Sequence, residues 1–285
     1  MLTALDHVAI AVRDLDRAAD AYAKLLGREP SWRGEHPQLG TANVLFRLEN
    51  TYIELLSPHV DGPLTTLVTA HLQSHGEGMF ALVFGTGDAE ACAATLRARG
   101  LTASEPVAGE GRDLRTGARR SWRTVHLSDT DTRGIVLFVI QHHPSSDALP
   151  IGPGADPNAA IYALDHAVIF TGDANAARRF YGEQLGLRLA LDRAFPERRV
   201  RLLFFRIGGV TVELGSPLPE GMATDSPDRF YGLSYRVHDV PAARERLAAD
   251  GFDVSEVRPG MKPGTRVCTV RGETHGVATL LIGPE

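Results

Sequence analysis

Residues 5–12 carry the short-period apolar pattern of a strand, and Asp14 follows as an N-cap. Apolar residues then recur at helical spacing at Ala18, Ala19, Tyr22, Leu25 and Leu26, and Gly27 closes the predicted helix. Two further apolar runs, 42–48 and 52–56, read as strands joined at Glu49-Asn50. A weaker echo follows: a strand at 79–84, a helix at 89–99 ended by Gly100, and strands at 122–127 and 135–140. The predicted unit is a strand, a helix, and two or three antiparallel strands.

This pattern returns later in the chain. LDHVAIAVRD at 5–14 reappears as LDHAVIFTGD at 164–173, an offset of 159 residues. The offset holds without a gap through Tyr22/Tyr181, Leu26-Gly27/Leu185-Gly186, Phe46-Arg47/Phe205-Arg206, Glu54-Leu55/Glu213-Leu214 and Ser57-Pro58/Ser216-Pro217. The second copy continues with a strand at 231–237, a helix at 241–249 ended by Gly251, and strands at 266–270 and 277–282. The chain is therefore a tandem duplication of four βαββ-type modules. The expected division is 1–143, a Pro/Gly/Ser-rich linker at 144–160, and 161–285.

Composition narrows the function more than the fold. The 285 residues carry 30 Lys+Arg against 35 Asp+Glu, a net charge of -5, and 43% hydrophobic positions. These are globular values with enough length for a substantial core. The mildly acidic balance argues against nucleic acid or an anionic membrane as the partner. No apolar run approaches the ~20 residues that span a bilayer, and no signal peptide is legible, so a soluble cytoplasmic protein is expected. The two cysteines, Cys92 and Cys268, stand apart from any metal-knuckle or redox spacing and read as small buried hydrophobes.

The stretches LDHVAIAVRDLDRAADAYAKLLG and LDHAVIFTGDANAARRFYGEQLG resemble the opening strand and helix of the vicinal oxygen chelate superfamily. That superfamily includes glyoxalase I, methylmalonyl-CoA epimerase, extradiol dioxygenases, and bleomycin and fosfomycin resistance proteins. GEHPQLGTANVLFRLENTYIELLSP, GEGMFALVFGTGDAEACAATLRARG and RRSWRTVHL add a resemblance to a glyoxalase-like subgroup. The resemblance implies an α+β fold of tandem βαβββ modules forming two curved mixed sheets with outer helices. It also implies a divalent metal (Zn, Fe, Mn, Ni or Co) held by a first-strand His and a last-strand Glu of each module. Here those positions are His7 and Glu54, and His166 and Glu213. The corresponding positions of the second and fourth modules fall at Phe80 and Phe138, and at Tyr231 or Gly232 and about Leu280. Neither copy supplies four ligands by itself, and the dioxygenase triad is incomplete.

Three arrangements of the His/Glu pairs stay open. One is a two-ligand metal site, with an off-pattern third ligand such as His75. Another is a shared site of His7, Glu54, His166 and Glu213 formed by modules one and three or by a swapped homodimer. The third is a metal-free cavity lined by retained His–Glu pairs. Other candidates are His36, Thr41 and Asn43 in the HPxxGTxN segment, as polar groups for a substrate oxygen. Trp122 and Arg123 would form an apolar wall and an anion clamp. Phe205, Tyr231 and Tyr235 would line an aromatic site in the second copy. His142-His143 reads as a solvated pair, His126 as a core residue, His238 as a cap or surface group, and His59, His71 and His275 as surface or loop residues.

The expected reaction is glyoxalase-like, lyase or isomerase, on a small oxygenated substrate. Glu54 or Glu213 would move a proton with a pKa raised by its apolar cup. The rival class is a metal-free binding protein of the bleomycin-resistance kind.

Overall fold

The structure, a computed structural model, describes residues 1–144, 149–154, 156–218 and 227–285. Its first half runs β1 (Leu2–Ala11), α1 (Leu15–Leu26), β2 (Trp32–His36), β3 (Thr41–Arg47), β4 (Tyr52–Pro58), α2 (Pro63–Ser74), β5 (Gly78–Thr86), α3 (Ala89–Ala98), β6 (Val107–Asp113), β7 (Arg119–His126) and β8 (Val136–His142). These strands close into a barrel in the order β1-β4-β3-β2-β6-β7-β8-β5. Modules one and two meet along the antiparallel β1–β5 seam, and β2 pairs with β6 through Gly34–Asp113 and Glu35–Arg112 to complete the circle.

The helices form where the pattern places them. Asp14 and Asp88 accept from the backbone N–H of Arg17 and Ala91, and Gly27 ends α1 at φ 66°. The α1 face that carries Ala18, Ala19, Tyr22, Leu25 and Leu26 is buried. Helix α2 has no counterpart in the sequence expectation. Its N-terminus lacks a side-chain cap and has only Pro63 as a start signal, and few of its residues are buried. It is held by Val68 and Leu72 against β1, β4 and β5 residues.

The second half runs β9 (Ala163–Phe170), α4 (Ala174–Arg178) continuing into a π-helical turn (Arg179–Gln184), β10 (Arg188–Phe195), β11 (Val200–Ile207), β12 (Val210–Pro217), β13 (Arg229–Arg236), α5 (Val240–Ala249), β14 (Asp253–Val254), β15 (Arg258–Pro259), β16 (Thr265–Arg271) and β17 (Ala278–Pro284). The order β10-β11-β12-β9-β13-β17-β16-β14, with β15 beside β16, is an open sheet. The same duplicated unit thus gives one closed barrel and one open sheet.

Modules pair one with two and three with four. His7 and Glu54 lie on β1 and β4 of the barrel, whereas His166 and Glu213 lie on β9 and β12 of the other sheet. Within one chain the four residues therefore do not come together as a shared site. The two halves nonetheless share one apolar core, which runs from Leu5 and Tyr22 to Tyr235 and Leu281. Polar ties cross the junction. Asn50 exchanges two hydrogen bonds with the backbone of Leu164 (2.8 and 3.0 Å), and the Tyr22 hydroxyl donates to the Thr274 carbonyl at 3.2 Å. Of the expected linker, residues 145–148 and 155 lie outside the described residues, while Glu29 N–H donates to the Pro153 carbonyl at 3.0 Å. Among the described residues no helix is long and apolar enough to cross a membrane.

Candidate functional site

The barrel encloses a cavity of about 360 Å³. Its walls are mostly apolar, including Trp32, Leu45, Phe80, Trp122, Phe138 and Ile140, with Leu64 and Leu67 of α2 along one side. Phe80 and Phe138, the second-module positions that the family resemblance aligns with His7 and Glu54, are both in this wall. Space for the Trp122 indole comes from Gly109 and Gly111 on β6. A Cβ on Gly109 would lie 2.5 Å from Trp122 Nε1, and one on Gly111 would lie 3.3 Å from the ring.

One polar patch interrupts these walls. His7 Nδ1–H donates to Asp6 at 2.8 Å, and His7 Nε2 faces Glu54 Oε2 at a longer 3.3 Å. Asp6 is also contacted by His142 Nε2 at 3.0 Å. The Glu54 carboxylate accepts from Asn43 Nδ2 at 2.7 Å through its other oxygen. Asn43 is oriented by Trp32 Nε1–H, which donates to its Oδ1 at 3.2 Å. The same amide meets His36 Nε2 at 3.1 Å, and His36 Nδ1 lies 2.9 Å from Thr41 Oγ1. The HPxxGTxN segment thus orders Glu54 from behind, and both His36 nitrogens are spent in doing so. Tyr52 stacks on His7 with ring centroids 4.5 Å apart.

The electrostatics of this patch differ from expectation. Burial pushes the Glu54 carboxyl up, but hydrogen bonds from His7 and Asn43 and the nearby imidazole charge outweigh it, and its pKa falls to about 2. Burial likewise opposes charge on His7, yet the Asp6 and Glu54 carboxylates raise its pKa to about 9. Asp6 is held well below the usual carboxylate range, burial again being overcome by its two histidines. His36 is pushed down by burial despite Glu54. An imidazolium between two carboxylates therefore replaces the expected carboxylate of raised pKa.

A metal fits this donor set poorly. Among the described residues no three His, Cys, Asp or Glu side chains converge as an ion requires. His7 Nε2 and one Glu54 oxygen face each other at 3.3 Å, and the Asn43 amide lies between the other Glu54 oxygen and His36. His75 does not line the cavity. It stacks on His71 at 5.0 Å, and burial lowers the His71 pKa to about 4.

Several other sequence candidates are relocated. Side chains alternate along β7, so Arg120, Trp122, Thr124 and His126 line the cavity, while Arg123 turns outward to pair with Glu90. His142 is a cavity residue bonded to Asp6 rather than a solvated one. His126 lines the cavity edge-on to Phe138 at 4.9 Å. His275 is buried between the halves, with Nδ1 2.7 Å from Glu77 Oε2. Asp6 and His142 were missed. The available signal for Asp6 was its repetition as Asp165, immediately before the histidine in each copy.

The second copy repeats the pair more loosely. His166 Nε2 lies 3.6 Å from Glu213 Oε2, and both side chains are 18% exposed against 8% and 10% for His7 and Glu54. His166 Nδ1 meets Asp165 at 2.9 Å, and Arg236 Nε–H donates to that carboxylate at 2.6 Å. Burial raises the Glu213 pKa, in the expected direction. Phe205 and Tyr235 are fully buried in the common core. Tyr231 is 52% exposed and packs on Phe170.

The fold and the spacing of the site, repeated in both halves, define a class. The chain belongs to the glyoxalase-like, vicinal oxygen chelate superfamily, as two tandem domains. Residues 5–161 match the glyoxalase-like domain family, and residues 165–269 match the glyoxalase/bleomycin resistance protein/dioxygenase superfamily. An ethylmalonyl-CoA/methylmalonyl-CoA epimerase of Cereibacter sphaeroides is 44% identical over 62 residues, which is 22% of this chain and 46% of that protein. The human mitochondrial methylmalonyl-CoA epimerase is 46% identical over 54 residues, 19% of this chain and 31% of that protein. The chain thus spans less than half the length of the curated relatives it matches. A mutant 4-hydroxymandelate synthase of Streptomyces coelicolor shares the fold over 100% of this chain and 93% of its own, with TM-score 0.69 and 15% identity. The Mn(II)-bound glyoxalase of Novosphingobium aromaticivorans does so over 99% and 82%, with TM-score 0.64 and 15% identity.

Proposed function

We propose that the barrel is the working site of an isomerase or lyase acting beside a carbonyl group of a small molecule. His7 is the group that stabilises negative charge developing on the carbonyl oxygen. The observation that carries this reading is the asymmetry of the His7 contacts inside an apolar cavity. Nδ1–H is fixed to Asp6 at 2.8 Å, while Nε2–H reaches Glu54 only at 3.3 Å and can be shared with a substrate oxygen. The ionised Glu54 carboxylate, which lines the cavity beside His7, accepts the carbon-bound proton and returns it; its pKa of about 2 makes it a weak base, so the step depends on His7 holding the charge that develops on the oxygen. The epimerase relatives support proton transfer beside a carbonyl as the reaction type.

Solvent deuterium incorporation, followed by NMR, tests the reading on a panel of 2-oxo acids and methylmalonyl-CoA. The expected result is exchange at the carbon beside the carbonyl of at least one compound. It should fall about a hundredfold or more in His7→Asn and remain in His166→Asn. Exchange that survives His7→Asn, or no exchange with any compound, overturns it.

A further inference from the structure

The expected anion clamp, Arg123, faces away from the cavity, but Arg120 faces into it from the same strand. Arg120 sits opposite Gly111 in the β6–β7 ladder, beside the Trp122 indole that packs over that glycine. It reaches across the lumen to the far wall, its guanidinium carbon 5.7 Å from the centroid of Tyr52, the ring that stacks on His7. Its Nε is buried without a hydrogen-bond partner, and among the described residues Arg120 has no carboxylate within ion-pair distance. The two carboxylates of the patch are committed elsewhere: Asp6 to His7 and His142, and Glu54 to His7 and Asn43.

An uncompensated guanidinium is costly in a mostly apolar cavity unless something anionic joins it there. The planar fork of arginine matches a carboxylate in two parallel hydrogen bonds. A single arginine among Trp, Phe and aliphatic walls suits one such monoanion on an apolar body better than a multiply charged phosphate.

We infer that Arg120 is the specificity-determining residue of the barrel and that its ligand is a small carboxylate with an apolar or aromatic body. The carboxylate lies at Arg120 above Tyr52, and the body lies against Phe80, Trp122 and Phe138. The inference rests on the reading of the barrel as a small-molecule site and adds the ligand class.

Calorimetric titration of the full chain with 3-phenylpropanoate and with its neutral isostere 3-phenylpropanamide tests it. The acid should bind at least about tenfold tighter than the amide, the difference made by one charge-assisted pair. Arg120→Gln should remove that preference while keeping amide binding, which also shows that the variant is folded. Arg123→Gln should keep the preference. Equal binding of acid and amide, or a preference that survives Arg120→Gln, overturns the Arg120 assignment and leaves the small-molecule reading intact. Failure of both compounds to bind overturns both.

Discussion

Each ionised residue of the barrel patch is stable only because of the next. Asp6, His7 and Glu54 form a minus–plus–minus row in which every charge has a partner at 2.8–3.3 Å. Asp6→Ala removes one carboxylate from under two histidines and should cost about 3 kcal/mol, read from denaturant midpoints at pH 7. The pH dependence follows from the directions of the shifts. The folded His7 pKa, about 9, lies above its ordinary 6.5, so its stabilisation is complete below that ordinary value and is lost as pH rises through 9. Glu54, at about 2 against 4.5, stabilises above its ordinary value and ceases to do so as pH falls through 2. Thermal midpoints should therefore fall above about pH 7 as His7 loses its proton, and fall below about pH 6 as Glu54 and the buried histidines His36 and His71, whose pKa burial lowers, take up protons. In Glu54→Gln the alkaline fall should be smaller and end at lower pH, since His7 has lost one of the charges that raise it. At this scale the sequence pointed to His7, Glu54, His36, Thr41 and Asn43, because the repeat and the HPxxGTxN segment mark them. It could not tell Arg120 from Arg123, because strand register across a turn decides which face an arginine takes.

The elements with strong local signals were legible and those built by tertiary contact were not. Helices α1, α3, α4 and α5 each start at an aspartate, Asp14, Asp88, Asp173 and Asp239, whose carboxylate accepts backbone N–H groups. Asp88→Ala should cost about 1 kcal/mol in thermal or denaturant unfolding without altering ligand binding. Helix α2, by contrast, has no capping side chain, and β6 reads VAGEGRD, polar and glycine-rich. Its glycines serve the cavity rather than the strand. Gly109→Ala places a methyl group against the Trp122 indole and should weaken binding of either probe about tenfold or more, with a shifted tryptophan emission. Unchanged affinity would show that Trp122 does not set the wall.

At the scale of the whole chain, duplication has produced two different solutions. The barrel closes because β2 reaches β6, whereas the second sheet ends in the edge strands β10 and β14. The offset of 159 residues revealed the copies, but closure depends on pairing between distant segments that no local pattern encodes. The shared core predicts that the halves unfold together. Both tryptophans, Trp32 and Trp122, lie in the barrel, while the buried Cys92 and Cys268 report on one half each. Fluorescence and the labelling of both thiols should give coincident denaturant transitions, and an earlier exposure of Cys268 would show independent domains. His7 and Glu54 form an ion pair at positions that the family resemblance assigns to metal ligands. The most direct test of this pair is imidazole nitrogen NMR of His7 at pH 7.5, with and without one equivalent of Co(II). The expected spectrum is that of an imidazolium with both nitrogens protonated and no paramagnetic shift; a neutral ring or a Co(II)-shifted His7 signal would show that the pair is not an ion pair or that it binds metal.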